Sequence, residues 1–377
     1  MPKRVLFLQC TNAGAYPPIC NAAHLLADRG WTVEILSSPN IGTASIVVPP
    51  HKNLRLYSTR TRQQSAVHPG EFAEYTFKAL YLATRLRPDI LYVSDPLAAG
   101  PGLLSASVVG ADLIYHEHDS PNSASLRPWI ANLRRLAARK AKLVLFPNEV
   151  RGRIVQRDLG FSCERLRVVW NTPSLHELPK IKSIPDKRLI LYYHGSITPE
   201  RLPEQVIDAV RSFNGNVILK IAGYEAAGAR GYLQRLLILG HCSDALSVVH
   251  YVGQVPNRTD LLEEASRCHV GLALMPTTTD DLNMQHMIGA SNKVFDYMAA
   301  GLALVVSDLP SWRDMFVPEF ARSCDPNNRA SIIGTLNWFV NHPEEANRMA
   351  SRGRTRIQSD WNYDKAFSPI IDAMSNL

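Results

Sequence analysis

The sequence lacks the features that mark a disulfide-stapled, metal-binding or membrane-spanning chain. Its six cysteines (Cys10, Cys20, Cys163, Cys242, Cys268 and Cys324) are scattered, with no Cys-x-x-Cys pair and no histidines beside them at metal spacing. Neither a disulfide framework nor a zinc site is expected, and a reduced cytosolic setting is the simplest reading. No apolar run approaches the ~20 residues that a bilayer span requires. The amino-terminal MPKRVLFLQC passes from a short apolar stretch straight into a polar loop, unlike a signal peptide. Helix-turn-helix, zinc-finger and aromatic RNA-binding patterns are missing too, which argues against a nucleic-acid partner. Acid is in short supply: 41 Lys and Arg face 34 Asp and Glu, a net charge of +7. That balance suits anionic partners such as sugar nucleotides or anionic lipid headgroups. The expected location is the cytoplasm, with peripheral contact at the inner face of the membrane as an option.

What is present fills two domains. A chain of 377 residues, 46% hydrophobic and 20% charged, exceeds one ordinary domain and can bury two cores. RVLFLQC reads as a buried strand, ICNAAHLLADRG as a helix closed by Gly30, and TVEILSS as a second strand. Strands and helices keep alternating through LIYHEHDSP, LVLFPN and LRVVWNTP. The polar, proline-bearing LPKIKSIPDK then reads as a linker, and the rhythm restarts at RLILYYHGSI. Such alternation predicts parallel sheets covered on both faces. The expected architecture is therefore two Rossmann-like domains facing each other across a cleft. Their bounds are 1–178 and 188–355, with a last helix, 356–377, crossing back onto the first. The first loop holds Gly14 but no Gly-x-Gly-x-x-Gly fingerprint, so it does not read as a dinucleotide site.

In sheets of this kind ligands bind beyond the carboxyl ends of the strands. On the first domain that rule selects His116, Glu117, His118 and Asp119. His116 and His118 share one side of the strand, and either proton transfer or metal ligation is open to them, although no third ligand stands at suitable spacing. The helix over 126–142 sets Trp129, Ile130, Leu133 and Leu136 against Arg127, Arg134, Arg135, Arg139 and Lys140. This face suits either an anionic membrane surface or an apolar stripe packed on its own sheet. On the second domain the loops at His194-Gly195-Ser196, Gly223-Tyr224-Glu225, Gly253-Gln254-Val255 and Met275 to Ser291 converge. Ser291 to Gly301, SNKVFDYMAAG, places a helix start, Lys293 and Asp296 in one small volume. Free N–H groups at a helix start attract phosphate, and Arg201 stands where a guanidinium can grip a diphosphate. Asp280-Asp281 reads as a solvated loop pair.

These residues resemble the GT-B glycosyltransferases of the glycosyltransferase family 4 type, which are retaining enzymes that use nucleotide sugars. The features that carry the likeness are Tyr16-Pro17-Pro18, His118-Asp119, VVWNTP, YYHGSI, KIAGY, YVGQV and, most specifically, NKVFDYMAAGLALVVSDLP. The resemblance implies that His118 is the acceptor-domain active-site histidine and that Arg201 replaces a diphosphate-binding lysine. It implies further that Asp296 is the second acid of a Glu-seven-residues-Glu motif and holds the ribose. Ser196 stands in place of a second cation, and Ile288 in place of the first glutamate, which normally meets the donor sugar. The catalytic candidates are thus His118, Arg201 and Asp296. Donor-binding candidates are Gly195, Ser196, Tyr224, Val255, Gly289, Ala290, Ser291, Asn292 and Lys293, and acceptor-side candidates are Gly14, Tyr16 and Asp119. No metal or other cofactor is implied. The partners are a nucleoside-diphosphate sugar and a glycan or lipid-linked acceptor, with a role in bacterial surface polysaccharide or glycolipid synthesis. Two other readings of the same frame are an epimerase or hydrolase of sugar nucleotides and a non-catalytic binding subunit.

Overall fold

The computed structural model describes all residues except 1–2, 64–66, 182–183, 185, 227 and 244–245, so part of the expected linker lies outside the described residues. The chain forms two units. The first comprises Met1–Asn171, Asp280–Ala290 and Tyr363–Leu377, and the second Thr172–Thr279 and Ser291–Asn362.

The first unit runs β1 (Arg4–Gln9), α1 (Pro17–Asp28), β2 (Thr32–Ser37), β3 (Leu54–Ser58), α2 (Pro69–Leu86), β4 (Ile90–Ser94) and α3 (Asp95–Val109). It continues with β5 (Asp112–His116), α4 (Pro128–Lys140), β6 (Leu143–Phe146), α5 (Glu149–Leu159) and β7 (Leu166–Val168). The strands pair in parallel in the order β3-β2-β1-β4-β5-β6-β7. Successive residues in each strand feed opposite cores. Val5, Phe7, Val33, Ile35 and Tyr92 pack toward α1, whereas Leu6, Leu8, Leu91 and Val93 pack toward the small residues of α2, α3 and α4. Both faces are buried, as the near-continuous apolar strands require.

The second unit runs β8 (Leu189–Ile197), α6 (Glu204–Arg211), β9 (Val217–Glu225), α7 (Tyr232–Gly240), β10 (His241–Ser243), β11 (Leu246–Ser247), β12 (Val249–Gly253), α8 (Arg258–Ala265) and β13 (Val270–Ala273). After α9 (Leu282–Gln285), which belongs to the first unit, come α10 (Asn292–Ala299), β14 (Ala303–Ser307), α11 (Pro310–Phe316), β15 (Ala321–Cys324), α12 (Arg329–Asn341) and α13 (Pro343–Ser359). The order β12-β9-β8-β13-β14-β15 is again parallel. In each sheet the winding reverses beside its first strand, at β1/β4 and at β8/β13.

Three boundaries differ from those expected. Residues 172–178, expected in the first domain, belong to the second unit. The second unit extends through α13 to Asn362, because Trp361 is held edge-on by Phe295, Phe316 and Phe320 at 6.1, 6.2 and 5.6 Å. Only α14 (Tyr363–Ser375) joins the first unit, burying Tyr363, Phe367, Ile370 and Met374 beside α1. Residues 280–290, expected within the second domain, are bonded to the first. The Asn283 Oδ1 accepts from the Ser120 N–H and from Arg151 Nη1, both at 2.7 Å, and the Ile288 carbonyl accepts from Asn148 Nδ2 at 2.7 Å. The Gly289 and Ala290 carbonyls accept from Asn171 at 2.7 and 2.9 Å.

Candidate functional site

At the first reversal point, the carboxyl ends of β1 and β4 leave a cavity of about 310 Å³ lined by Gln9, Thr11, Tyr16, Asp95, Asp119 and Asn283, among others. Asp95 opens α3 at φ +66°, a region that non-glycine residues seldom occupy. Its Oδ1 accepts from the N–H groups of His118 and Asp119 at 2.8 and 3.4 Å, which fixes the exit of β5 over the cavity. Burial pushes the Asp95 carboxyl up to about 8, with Asp119 adding to the effect.

His116 and His118 share one side of the chain, their rings 3.9 Å apart, and His116 Nδ1 lies 2.7 Å from the Tyr92 hydroxyl. His118 is 4% exposed, lies 5.7 Å from the Tyr16 ring, and offers two ring nitrogens with no hydrogen-bond partner among the described residues. Burial, aided by Arg151, lowers its pKa to about 3, so the imidazole is neutral. A neutral ring can both donate and accept one hydrogen bond, which suits a hydroxyl.

Glu117 takes no part in this group. Its carboxylate points to the other side, where Arg134 Nε and Nη2 donate to it at 2.8 and 2.6 Å and the Tyr115 hydroxyl donates at 2.6 Å. The picture of a carboxylate between two imidazoles is thereby corrected, and so is the placing of Arg134 on a solvent-facing basic stripe: it is fully buried. Gly14 is explained by packing, since a Cβ there would meet the Ile46 carbonyl oxygen at 2.7 Å.

In the second unit, β8 carries Gly195 with φ +104° near its carboxyl end, in register with Gly223 of β9, where φ is +140°. A Cβ on Gly223 would lie 2.0 Å from the Gly195 carbonyl oxygen, and one on Gly195 would lie 3.1 Å from Lys293 Nζ. Two glycines therefore keep the strand ends low and leave room around the ammonium. Lys293 comes in the first turn of α10 and is 7% exposed, with its Nζ 5.4 Å over the Tyr193 ring and in no ion pair among the described residues. Burial first, then repulsion from Arg201, lower its pKa to about 7. Arg201 Nη1 donates to Ser196 Oγ at 2.8 Å. The N-cap, Ser291, makes no side-chain bond to the helix start, and Gly301, at φ +75°, follows the helix end. Tyr224 lies at the end of β9, and Val255 follows β12.

Asp296 differs from the expectation of an acid open to ribose. It has no exposed surface, and Arg258 donates to both its oxygens, at 2.5 Å from Nη2 and 3.2 Å from Nη1. Arg258 Nε also donates to Glu177 at 2.6 Å, and His194 Nε2 lies 3.4 Å from Asp296. The acid sits on the inward side of α10, so it is used to bind α8 and the turn at Glu177. Arg258 and Glu177 were missed by sequence reasoning. The only signal was the Asn-Arg-Thr-Asp helix start, which is too common to single out. Gly289 and Ala290 fall in the first unit, apart from Ser291, Asn292 and Lys293 in the second.

A family model described as a Glycosyl transferase 4-like domain matches residues 14–172, and a Glycosyl transferase-like model matches residues 204–372. The chain belongs to the GT-B glycosyltransferases of the family 4 type. Among curated proteins it is similar to the UDP-N-acetylglucosamine–N-acetylmuramyl-(pentapeptide) pyrophosphoryl-undecaprenol N-acetylglucosamine transferases of Tolumonas auensis and Bordetella petrii. The first is 27% identical over 116 residues, 29% of this chain and 32% of that protein. The second is 29% identical over 160 residues, 41% and 44%. The chain thus spans less than half the length of these relatives. Among solved structures, Anabaena HepE in complex with UDP and glucose superposes with a TM-score of 0.72 at 14% identity, covering 100% of both chains. Sucrose-phosphate synthase from Thermosynechococcus elongatus gives 0.71 at 12%, covering 99% of this chain and 98% of that one. These likenesses establish the fold.

Proposed function

We propose that this chain transfers a glycosyl group from a nucleoside-diphosphate sugar to a hydroxyl acceptor, with retention at the anomeric carbon and without a divalent metal. The observation that carries the reading is Lys293, a buried ammonium at a helix start that is in no ion pair among the described residues and stands beside the Gly195 turn, next to which Arg201 is bonded to Ser196. Two cations held together in low dielectric are relieved by an anion that meets both, and a diphosphate has that shape and charge. Lys293, Arg201 and the N–H groups at Ser291 and Asn292 take the leaving diphosphate in this reading. Gly195 and Ser196 leave it space, and Tyr224 and Val255 flank the nucleoside. His118 acts as a neutral hydrogen-bonding group toward the reacting sugar, and Tyr16 and Asp119 meet the acceptor. Asp296 acts through Arg258 as a positioning residue.

The curated relatives are named for sugar transfer to an undecaprenol-linked acceptor, and the Anabaena protein for complexes with UDP and UDP-glucose. By that likeness the acceptor is a glycan or lipid-linked sugar in surface polysaccharide or glycolipid synthesis, met at the cytoplasmic face of a membrane. The test is product analysis after a thermal-shift panel of UDP-, GDP-, ADP- and TDP-sugars has found the donor. A new glycoside that falls by about 10²–10⁴-fold in His118→Ala supports the proposal. An epimerised donor without a new glycoside would replace it with an epimerase. The sealed Asp296 and Ile288 favour one further reading, a subunit that binds nucleotide without turnover, and wild-type activity in His118→Ala would move the assignment there.

A further inference from the structure

The cavity at the carboxyl ends of β1 and β4 runs against the charge of the chain. The net charge is +7, yet among the described residues that line the cavity there is no Lys, Arg or His, and there are two acids, Asp95 and Asp119. Asp119 is exposed, whereas Asp95 is built into the wall. Its Oδ1 is held by the N–H groups of His118 and Asp119, and its Oδ2 lies 3.5 Å from Gln9 Nε2. Gln9 also donates to Thr11 Oγ1 at 2.6 Å, which leaves its buried Oε1 without a partner among the described residues, as is the buried Oγ of Ser94. Arg151 is the cation bonded to this wall, through Asn283. It is 1% exposed, it donates to Asn283 Oδ1 and the His118 carbonyl at 2.7 and 2.9 Å, and Asp119, Glu117 and Asp95 already draw on its charge. The remaining walls are apolar, from Pro96, Leu97, Pro121, Leu126 and the Tyr16 ring. A volume of about 310 Å³ stands at the low end of the ~300–1,000 Å³ of small-molecule sites and suits a single sugar ring.

We propose that this cavity selects the acceptor by charge: it takes one sugar ring that bears hydroxyls and neither phosphate nor carboxylate, and Asp95 and Asp119 are the specificity-determining residues. The proposal rests on the sugar-transfer reading and names the class of acceptor within it. A hydroxyl can donate to a carboxylate or amide oxygen of this wall, and it can accept from Asp95 while that group keeps its proton, which burial favours by pushing the carboxyl up to about 8. The apolar walls meet the C–H face of the same ring. A phosphate or carboxylate on the ring would leave water for apolar walls, find no open cation and face the Asp119 side chain. A pyrophosphate that links the ring to a lipid therefore stays outside the cavity. The same charge turns away the anionic donor, so the two substrates are sorted by the sign of the side chains they meet.

Saturation-transfer NMR on the full chain tests it, with no donor present and with neutral methyl hexosides, the same hexosides carrying a phosphate, and methyl uronates as probes. The neutral hexosides are expected to bind and their anionic counterparts to bind at least about tenfold more weakly. Leu97→Trp fills the cavity and is expected to weaken the neutral probes at least about tenfold. Asp119→Asn, at an exposed position that leaves the fold intact, is expected to narrow the gap between neutral and anionic probes by about three- to tenfold. Anionic hexosides that bind as well as neutral ones overturn the proposal, and so does the absence of a signal from every neutral hexoside. A signal untouched by Leu97→Trp, or a gap unmoved in Asp119→Asn, overturns it as well. Because the donor is absent, the outcome is separate from that of the sugar-transfer reading: neutral hexosides that bind but form no glycoside once a donor is added would remove that reading and leave the selectivity of the cavity standing.

Discussion

The two units have the same sheet logic and opposite site chemistry. In the first, buried titratable groups are driven to their neutral forms. Burial pushes Asp95 up to about 8 and His118 down to about 3, and the buried pair of Glu117 with Arg134 is matched on the far side of β5. In the second, cations at the strand ends are left partly unmatched. Arg258 spans Asp296 and Glu177, yet among the described residues neither Lys293 nor Arg201 is in an ion pair. Low dielectric removes charge where no counter-ion is expected and makes it valuable where one arrives with the ligand. A neutral pocket suits a hydroxyl, and a cationic one suits a diphosphate.

The sharpest way to break this comparison is to unbalance the buried ion pairs. Arg134→Met leaves Glu117 buried and uncompensated, and a loss of about 3–5 kcal/mol is expected in denaturant unfolding. Arg258→Met strands Asp296 and Glu177 in the same way, but a smaller loss is expected in acid, because burial already pushes the Asp296 carboxyl up to about 6 and a proton there replaces the lost partner. Equal, pH-independent losses in the two variants would show that the units do not differ as described.

The next effect concerns the donor. Lys293→Met is expected to weaken binding of the donor nucleotide by about 10- to 100-fold, the cost of one charge-assisted contact, while His118→Ala leaves binding within about twofold. Calorimetry on both variants checks this, and the reverse pattern would exchange the roles of the two sites. The third effect is on pH. With the Lys293 pKa lowered to about 7, the protein must take up a proton at Nζ when the diphosphate binds above that pH. Affinity is therefore expected to fall by up to about tenfold per unit as pH rises above 7, and Lys293→Arg, which keeps its charge, flattens the profile.

The last effect lies in the first unit. An Asp95 carboxyl at about 8 keeps its proton in the fold over a range where an unfolded carboxyl, near 3.8, has lost it. Raising the pH from about 4 to about 8 therefore favours the unfolded chain, and above 8 that loss is complete. Asp95→Asn retains an oxygen for the His118 N–H and is expected to raise Tm, by more at about pH 9 than at about pH 5. A gain that does not change with pH would mean that Asp95 is ionised in the fold.

Much of the architecture was legible. The alternation of RVLFLQ, TVEILS and ILYVS with amphipathic segments gave the parallel strands, because an apolar run flanked by helices has no other way to bury both faces. Lys293 and His118 could be picked out because each follows a strand or opens a helix at the end where ligands bind. Arg134 could not be read correctly: cations crowded along one helix look like one solvated stripe until a partner in β5's exit loop is known. Residues 280–290 were misassigned for a related reason, since Asn283 is bound by Ser120 and Arg151, more than a hundred residues away in sequence.

The sequence by itself determined two parallel α/β sheets and set His118 and Lys293 at a strand exit and a helix start, because periodicity and residue type register burial locally, one side chain at a time. Only the tertiary structure decided that Asp296 is sealed by Arg258, that Glu117 is matched by Arg134, and that Lys293 has no ion-pair partner among the described residues. Those outcomes depend on distances of a few ångströms between groups on separate elements, and such distances are fixed by how the elements pack rather than by any pattern along the chain.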